Sequence, residues 1–214
     1  MPMGLGATVR GLLAAGAVVV IAAGCGSASD PSPPAGVDEL VIPTPSPDPD
    51  DFVATIDNPW LPYAVGARWT YTDGSADVTF AAEEGPTIAG VATTAVVAGG
   101  SGSVPSADYY AQDTDGNVWW FGREGEWRAG EDGAEAGMAM LARPRVGDGY
   151  AEMGSDGGPG QRSVIRELGD ELVIETTTSA GDVVVRHYER DTGLVLSEAP
   201  ETELRLVAYD EPQS

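Results

Sequence analysis

The C-terminal third of the chain consists of short alternating segments separated by turn residues, and this pattern constrains the fold more than any other feature. Five segments of five to nine residues alternate apolar and polar side chains, as half-buried strands do: Ser163–Leu168, Glu171–Thr178, Asp182–Arg190, Leu194–Glu198 and Glu203–Tyr209. Their joints, Gly169-Asp170, Ala180-Gly181, Thr192-Gly193 and Pro200, are typical turn residues. Short strands with such short connections predict an antiparallel meander.

The central block, Ala107–Gly137, predicts a hairpin at the heart of the same sheet. Two apolar runs flank Asp115-Gly116, where glycine accepts a positive φ at little cost. In the second strand Trp119 and Phe121 share one face and Trp120 lies on the other. One face is expected to fill the core. The other is covered by Trp127 or by the loop after Gly130, or it lines a ligand groove.

The rest of the body predicts further strands. Alternation at Trp69 and Tyr71 gives one strand, and Asp77–Ala82 and Thr87–Val97 give two more, with Gly85-Pro86 as their turn. Gly130–Gly147 is expected to be irregular, with Met138 and Met140 in a small apolar patch. The fold class is therefore all-β: a single curved antiparallel sheet closing partly on itself, or a sandwich, of about eight to eleven strands.

The N-terminal residues predict export and a lipid anchor. Arg10 precedes an apolar run, Gly11–Ala23, which spans only about 20 Å as a helix and is too short for the roughly 30 Å hydrocarbon core, so a signal peptide is favoured. Ala22-Ala23-Gly24-Cys25 resembles a bacterial lipobox. The resemblance implies that Cys25 carries a diacylglycerol thioether and that acyl chains of the palmitate type hold the protein at the membrane.

Three regions follow from this assignment. Residues 1–24 are the lipoprotein signal peptide, and residues 25–51 hold the lipidated cysteine and a disordered linker rich in proline and aspartate. Residues 52–214 are one all-β domain. The predicted location is the extracytoplasmic side of the cell membrane.

The charge of the chain excludes one class of partner. The formal net charge is −23, from 34 acidic and 11 basic side chains, and the chain has no lysine. Such a surface repels phosphate backbones, so nucleic acid is not an expected partner.

Several motifs resemble those of a family of uncharacterised bacterial envelope lipoproteins, mostly from actinobacteria. They are IDNPWLPYAVGARWTY, DYYAQDTDGNVWWFG, GEWRAGEDGAEAGM and HYERDTGLVLSE followed by ETELRLV. In that family a DNP-x-x-P loop precedes a G-x-x-W-x-Y strand, and a DG-x-W-aromatic-FG hairpin follows. The resemblance implies a shared β fold and an envelope location, and it implies no reaction.

Asp113, Asp115, Asn117 and Glu124 have the spacing of a calcium-binding loop, with oxygen ligands at positions 1, 3, 5 and 12. Position 6 is Val118, where the loop requires glycine, and Val118-Trp119-Trp120 is typical of a strand. A β-turn is the favoured interpretation. Calcium binding stays open as an alternative.

Two further sets of side chains carry groups that could serve in catalysis. Glu131, Asp132 and Glu135 cluster in a glycine-flanked loop, which is more typical of a solvated surface. His187 is the only histidine, and it shares a strand face with Val183 and Val185.

The sequence contains no nucleophile-elbow motif. We therefore expect a non-enzymatic binding module without a cofactor, for an apolar or glycan-like ligand or an envelope protein. A calcium-stabilised module and an envelope hydrolase are the alternatives. The ligand-face candidates are Trp119, Trp120, Phe121 and Trp127.

Overall fold

The computed structural model describes residues 48–100, 105–153 and 159–212, and strands dominate them. A single 3-10 turn, Pro49–Asp51, precedes the first strand. The strands are β1 (Phe52–Val53), β2 (Arg68–Thr72), β3 (Asp77–Ile88), β4 (Val91–Gly100), β5 (Ser106–Asp113), β6 (Val118–Arg123), β7 (Trp127–Arg128), β8 (Gly137–Met140), β9 (Gly149–Met153), β10 (Pro159–Leu168), β11 (Glu171–Thr177), β12 (Val183–Glu189), β13 (Gly193–Ala199) and β14 (Thr202–Asp210).

All 14 strands belong to one antiparallel sheet, which confirms the predicted fold class. Its order is β7-β6-β5-β4-β3-β2-β14-β13-β12-β11-β10-β9, so adjacent strands on this path are consecutive in sequence except β2 and β14. β1 pairs with β5, and β8 pairs with β6. The predicted C-terminal meander is confirmed, each strand within a few residues of its expected bounds.

The strand count exceeds the expected eight to eleven, and part of the excess lies in a region predicted to be irregular. Within Gly130–Gly147, Gly137–Met140 forms β8 and pairs with β6. Met140 is fully buried and Met138 nearly so, because they lie opposite Val118 and Trp119. Pairing with a buried strand outweighs the weak local pattern.

The prediction of a turn at Gly85-Pro86 is wrong. β3 continues through both residues, and the register with β4 shifts between Glu84 and Thr87, so the pair forms a bulge. A Cβ at Gly85 would lie 2.5 Å from Thr93 Oγ1, so glycine is required there. The turn is at Ala89 and Gly90, which both have positive φ.

The end of the predicted linker is ordered. Asp48 caps the 3-10 turn: its carboxylate accepts from Asp50 N–H at 3.1 Å, and its own N–H donates to Asp51 at 3.2 Å. Residues 1–47, including Cys25, lie outside the described residues.

The sheet curves so that its two ends approach each other. Tyr150 of β9 donates its hydroxyl to the carbonyl of Ala139 in β8 at 3.2 Å, although the sheet order ends at β9 without closing the ring. Side chains of β5, β6, β10, β12 and β13 line a common cavity. We call the face that bears these side chains the inner face.

Residues 56–63, the plug segment, lie against the inner face. Asn58 is buried and fixes the segment: its N–H donates to Gln112 Oε1 at 2.8 Å, and its amide nitrogen donates to the carbonyl of Gly116 at 2.9 Å. At the other side Asp191 N–H donates to the carbonyl of Pro59 at 2.7 Å. The plug segment therefore connects the β5–β6 hairpin to the β12–β13 turn across the sheet.

Candidate ligand-binding site

A cavity of about 180 Å³ lies between the plug segment and the inner face. Aromatic, cationic and amide side chains share its wall with small apolar ones. The described lining residues are Leu61, Tyr63, Tyr110, Trp120, Arg123, Ala139, Gln161, Arg186, Tyr188 and Leu194.

The β5–β6 hairpin supplies the first wall. Tyr110 and Trp120 are directly opposite each other in the register, so their side chains share the inner face. The register shifts beside this pair, which leaves Phe121 as the extra residue of a bulge. The hairpin predicted around Asp115-Gly116 is confirmed, and its aromatic residues divide between the two faces.

The carboxylate of Asp108 binds the polar groups of this wall. Asp108 accepts from Arg123 through two bonds, 2.9 Å from Nε and 3.1 Å from Nη2. It also accepts from the indole N–H of Trp120 at 3.0 Å. The hydrogen bonds that Arg123 donates to Asp108 raise the pKa of Arg123 above its usual value, so the guanidinium stays charged beside the cavity.

The opposite wall comes from β12. Arg186 and Tyr188 lie opposite Ile174 and Leu172 of β11, two fully buried residues. Arg186 Nη1 donates to Thr176 Oγ1 at 2.9 Å. Thr176 in turn lies 2.8 Å from the hydroxyl of Ser163, and both hydroxyl residues are buried. The buried pair therefore accepts a hydrogen bond from one nitrogen of the Arg186 guanidinium.

The plug segment forms the roof with Leu61 and Tyr63. The Tyr63 ring contacts Tyr110, with centroids 5.0 Å apart, and Trp69, with centroids 5.4 Å apart. Burial raises the pKa of Tyr63 well above its usual value, with smaller contributions from Tyr188 and Asp108. Its hydroxyl is therefore neutral at any physiological pH.

The four aromatic ligand-face candidates do not act together. Trp119 and Phe121 are buried on the outer face, where Phe121 packs edge-on against Phe52 with centroids 5.2 Å apart. Trp120 is half-buried and lines the cavity. Trp127 is buried and packs edge-on against Trp120, with centroids 4.9 Å apart.

The calcium candidates form a hairpin turn. Both carboxylate oxygens of Asp113 accept hydrogen bonds: Oδ1 from Asn117 N–H at 2.8 Å, and Oδ2 from the Asn117 amide at 2.9 Å and the Trp119 indole at 2.8 Å. Asn117 Oδ1 accepts from Ala142 N–H at 2.9 Å. Asp115 and Glu124 are exposed. The side-chain oxygens of Asp113 and Asn117 thus all accept hydrogen bonds from protein donors.

The acidic trio Glu131, Asp132 and Glu135 is exposed in the loop before β8. Glu135 lines a second cavity of about 370 Å³, which is formed largely by alanine and glycine residues around Phe121. Among the residues that the structure describes, no three acidic, histidine or cysteine side chains are arranged to hold a metal ion.

His187 lies on the outer face, where the register confirms that it shares a side with Val183 and Val185. Its Nδ1 is 3.2 Å from Glu171 and its Nε2 is 3.4 Å from Glu198. Tyr188, the next residue, points to the cavity. The only imidazole of the chain is therefore on the opposite side of the sheet from the candidate site.

Sequence reasoning missed most of the cavity. Tyr63, Tyr110, Arg123, Arg186 and Tyr188 were not candidates. The alternation of β12 places Arg186 and Tyr188 on the face opposite His187, and this pattern is the one feature of the sequence that could have indicated them. Nothing local indicates that this face meets Tyr110 and Trp120.

In residues 48–100, 105–153 and 159–212, no helix has the length and apolarity needed to cross a membrane.

Comparisons of the chain with protein-family models, with curated proteins and with solved structures gave no match. The resemblance to envelope lipoproteins therefore stays a prediction from the motifs.

Proposed function

We propose that this protein is a lipid-anchored extracytoplasmic lipoprotein whose β domain is a non-enzymatic binding module for a small ligand. The signal peptide and the lipobox that ends at Cys25 support the anchor. The cavity under the plug segment supports the binding role. Ligand sites are typically concave and combine aromatic walls with a few polar groups that fix orientation.

The observation that carries the binding role is the composition of the cavity wall. Trp120 and Tyr110 from one hairpin face Arg186 and Tyr188 from a strand far along the sheet. In such a cavity the aromatic side chains can stack on a ring of the ligand. The guanidinium groups can donate hydrogen bonds to the polar substituents of that ring. A glycan-like ligand suits this wall better than an acyl chain, which needs a longer, wholly apolar channel.

The placement of the titratable residues argues against the hydrolase alternative. His187 lies beside Glu171 and Glu198 on the outer face, whereas the acidic trio is in the loop before β8. A hydrolytic site would require an acid or base beside the cavity. Asp108 is a carboxylate at the cavity wall, but both of its oxygens accept hydrogen bonds from protein donors, Arg123 and the Trp120 indole. No described lining residue is an imidazole.

Native mass spectrometry of the full chain, released from its envelope in detergent, tests the binding role. We expect a small co-purifying mass in addition to that of the lipidated protein, and its loss from the Trp120→Ala variant. Arg205→Gln, a change to an exposed arginine away from the cavity, should retain the mass. A wild-type protein without any such mass would contradict binding in the cavity and favour a protein partner.

Fractionation of cells expressing Cys25→Ser tests the anchor. Without the thiol no thioether can form, so the variant should leave the membrane fraction for the soluble extracytoplasmic fraction. If it stays with the membrane as the wild type does, the lipobox interpretation is wrong.

A further inference from the structure

We propose that the cavity binds a neutral sugar residue, which stacks against Trp120 and is held through its hydroxyls by Tyr63 and Gln161. This inference rests on the binding role proposed above and names the chemical class of the ligand. It depends on which polar groups of the wall are already bonded within the protein and which are left for a ligand.

The two guanidinium groups of the wall are already held by protein groups. Asp108 accepts two hydrogen bonds from Arg123, at 2.9 Å and 3.1 Å. Arg186 donates to the Thr176 hydroxyl at 2.9 Å and has a further interaction within the protein. Neither guanidinium is a free cation, so the wall does not require an anionic ligand.

The Tyr63 hydroxyl is a polar group of the wall that is left for a ligand. The Tyr63 ring contacts both Tyr110 and Trp69, whereas its hydroxyl has no hydrogen-bond partner in residues 48–100, 105–153 and 159–212. Burial raises the pKa of Tyr63, so the group is a neutral hydroxyl that can both donate and accept. Because two ring contacts already fix it, this hydroxyl loses little conformational freedom when a ligand binds.

The Gln161 carboxamide is the second such group. Gln161 lies on β10 two positions before Ser163, so the two side chains share the inner face, and Gln161 lines the cavity. The hydrogen bonds of the described residues include none to or from its carboxamide. A carboxamide has two donor hydrogens and an acceptor oxygen, a set that matches neighbouring hydroxyls of a sugar.

Both groups are accessible to a ligand. In the part of the chain that the structure describes, no fully buried side-chain nitrogen or oxygen lacks a hydrogen-bond partner. The unbonded Tyr63 hydroxyl and Gln161 carboxamide therefore reach open space, and both side chains line the cavity. Neutral groups that donate and accept are best matched by a ligand that does the same, as a sugar hydroxyl does.

Trp120 provides a flat surface for the sugar ring. Its indole N–H donates to Asp108 at 3.0 Å, and Trp127 packs edge-on against it, so the orientation of the ring is set before a ligand arrives. The flat apolar face of an indole packs well against the C–H face of a pyranose. The cavity is half open, so the sugar residue can be a free monosaccharide or the end of a longer glycan.

Isothermal titration of the full chain, in a detergent without a sugar headgroup, tests the inference. The probes are glucose, galactose, mannose and N-acetylglucosamine, and tetrahydropyran-2-methanol is a matched compound that keeps the pyranose ring but lacks the ring hydroxyls. We expect at least one sugar to bind at least about tenfold more tightly than this compound, as one or two hydrogen bonds allow. Glucuronate should bind no more tightly than glucose.

Variants assign the binding to the two groups. Tyr63→Phe and Gln161→Met each remove the hydrogen-bonding group and nearly keep the shape, so each should weaken binding of the sugar about fivefold. Tyr209→Phe is the matched control: Tyr209 also packs against Trp69 but is not among the described lining residues, so the affinity should not change. Thermal melting identifies any variant that has not folded.

The outcomes separate the ligand class from the binding role. No binding by any of the sugars, equally tight binding of tetrahydropyran-2-methanol, or unchanged affinity in both cavity variants would overturn the sugar site. If the native protein still carries a co-purifying mass, the binding role survives that result, and if it carries none, the binding role fails as well. A trisaccharide of the sugar that binds distinguishes the two sources, because only a site for the end of a glycan accepts it with equal or higher affinity.

Discussion

Asp108 and Asp113 lie on the same strand, and each accepts a hydrogen bond from a tryptophan of the next strand, yet they serve different ends. Asp113 is buried on the outer face and accepts from the indole of Trp119 and from two nitrogens of Asn117. Asp108 is on the inner face and accepts from Trp120 and Arg123 at the wall of the cavity.

The difference shows how one hairpin can both stabilise the fold and form a wall of the cavity. Residues an odd number of positions apart on a strand point to opposite faces, so β5 directs one carboxylate into the core and the other toward the cavity. A buried carboxylate whose partners are all protein donors fixes the hairpin turn. A partly exposed carboxylate beside a cavity orients groups that can also meet a ligand.

The two tryptophans should differ most in their effect on stability. Trp119→Ala removes a fully buried ring and should lower the free energy of unfolding by about 3–5 kcal/mol. Trp120→Ala removes a half-buried ring and should cost about 1–2 kcal/mol while abolishing ligand binding. Urea unfolding followed by circular dichroism measures both, and equal losses of stability would remove the distinction between the two faces.

Substitution of the two aspartates should also lower the free energy of unfolding more on the outer face than on the inner face, by smaller amounts than for the tryptophans. Asp113→Ala leaves three N–H donors without their acceptor and should cost about 3 kcal/mol. Asp108→Ala should cost about 1 kcal/mol, because Arg123 is partly exposed and water can solvate it.

Thermal melting of the wild type with calcium and with a chelator provides the control. The Tm should be the same in both, and a rise with calcium that Asp113→Ala abolishes would favour a calcium-binding turn.

Asp73, in the turn between β2 and β3, is an exposed counterpart to Asp113. Its hydrogen bonds are expected to have the smallest effect on stability. The Ser75 hydroxyl and the N–H groups of Ala76 and Ser75 lower its pKa from 3.8 to about 2. Because the folded pKa lies below the ordinary one, these bonds stabilise the fold above pH 3.8, and this stabilisation is lost as the pH falls through about 2.

Carboxyl-carbon NMR titration measures this pKa directly. In Ser75→Ala the largest contribution is gone, so the pKa of Asp73 should rise toward its ordinary value. An unchanged pKa in this variant would assign the shift to the backbone donors alone.

The sequence predicts local strands better than it predicts the cavity. Alternation found β10 to β14, because those strands present one face to water and one to the core. It failed at Gly85-Pro86, since a bulge and a turn share glycine and proline, and it missed β8, whose order depends on pairing with β6. For Trp119, Trp120 and Phe121 it gave the correct division between faces.

Contacts between distant segments decide which face of the β5–β6 hairpin is covered and which face lines the cavity. Tyr63 of the plug segment, Trp120 and Tyr188 belong to regions far apart in the chain, and sheet curvature brings them together. No local sequence pattern predicts the curvature of a sheet or the place where an irregular stretch such as the plug segment packs.

NMR of the indole N–H groups during titration with the small-molecule extract of the envelope tests binding at the cavity most directly. The Trp120 indole lies at the cavity wall with Asp108, whereas the Trp119 indole is buried with Asp113. We expect the Trp120 and Arg123 side-chain resonances to shift with added extract while the Trp119 resonance stays in place. Unchanged Trp120 and Arg123 resonances at saturating extract, or shifts confined to other tryptophans, would contradict ligand binding in this cavity.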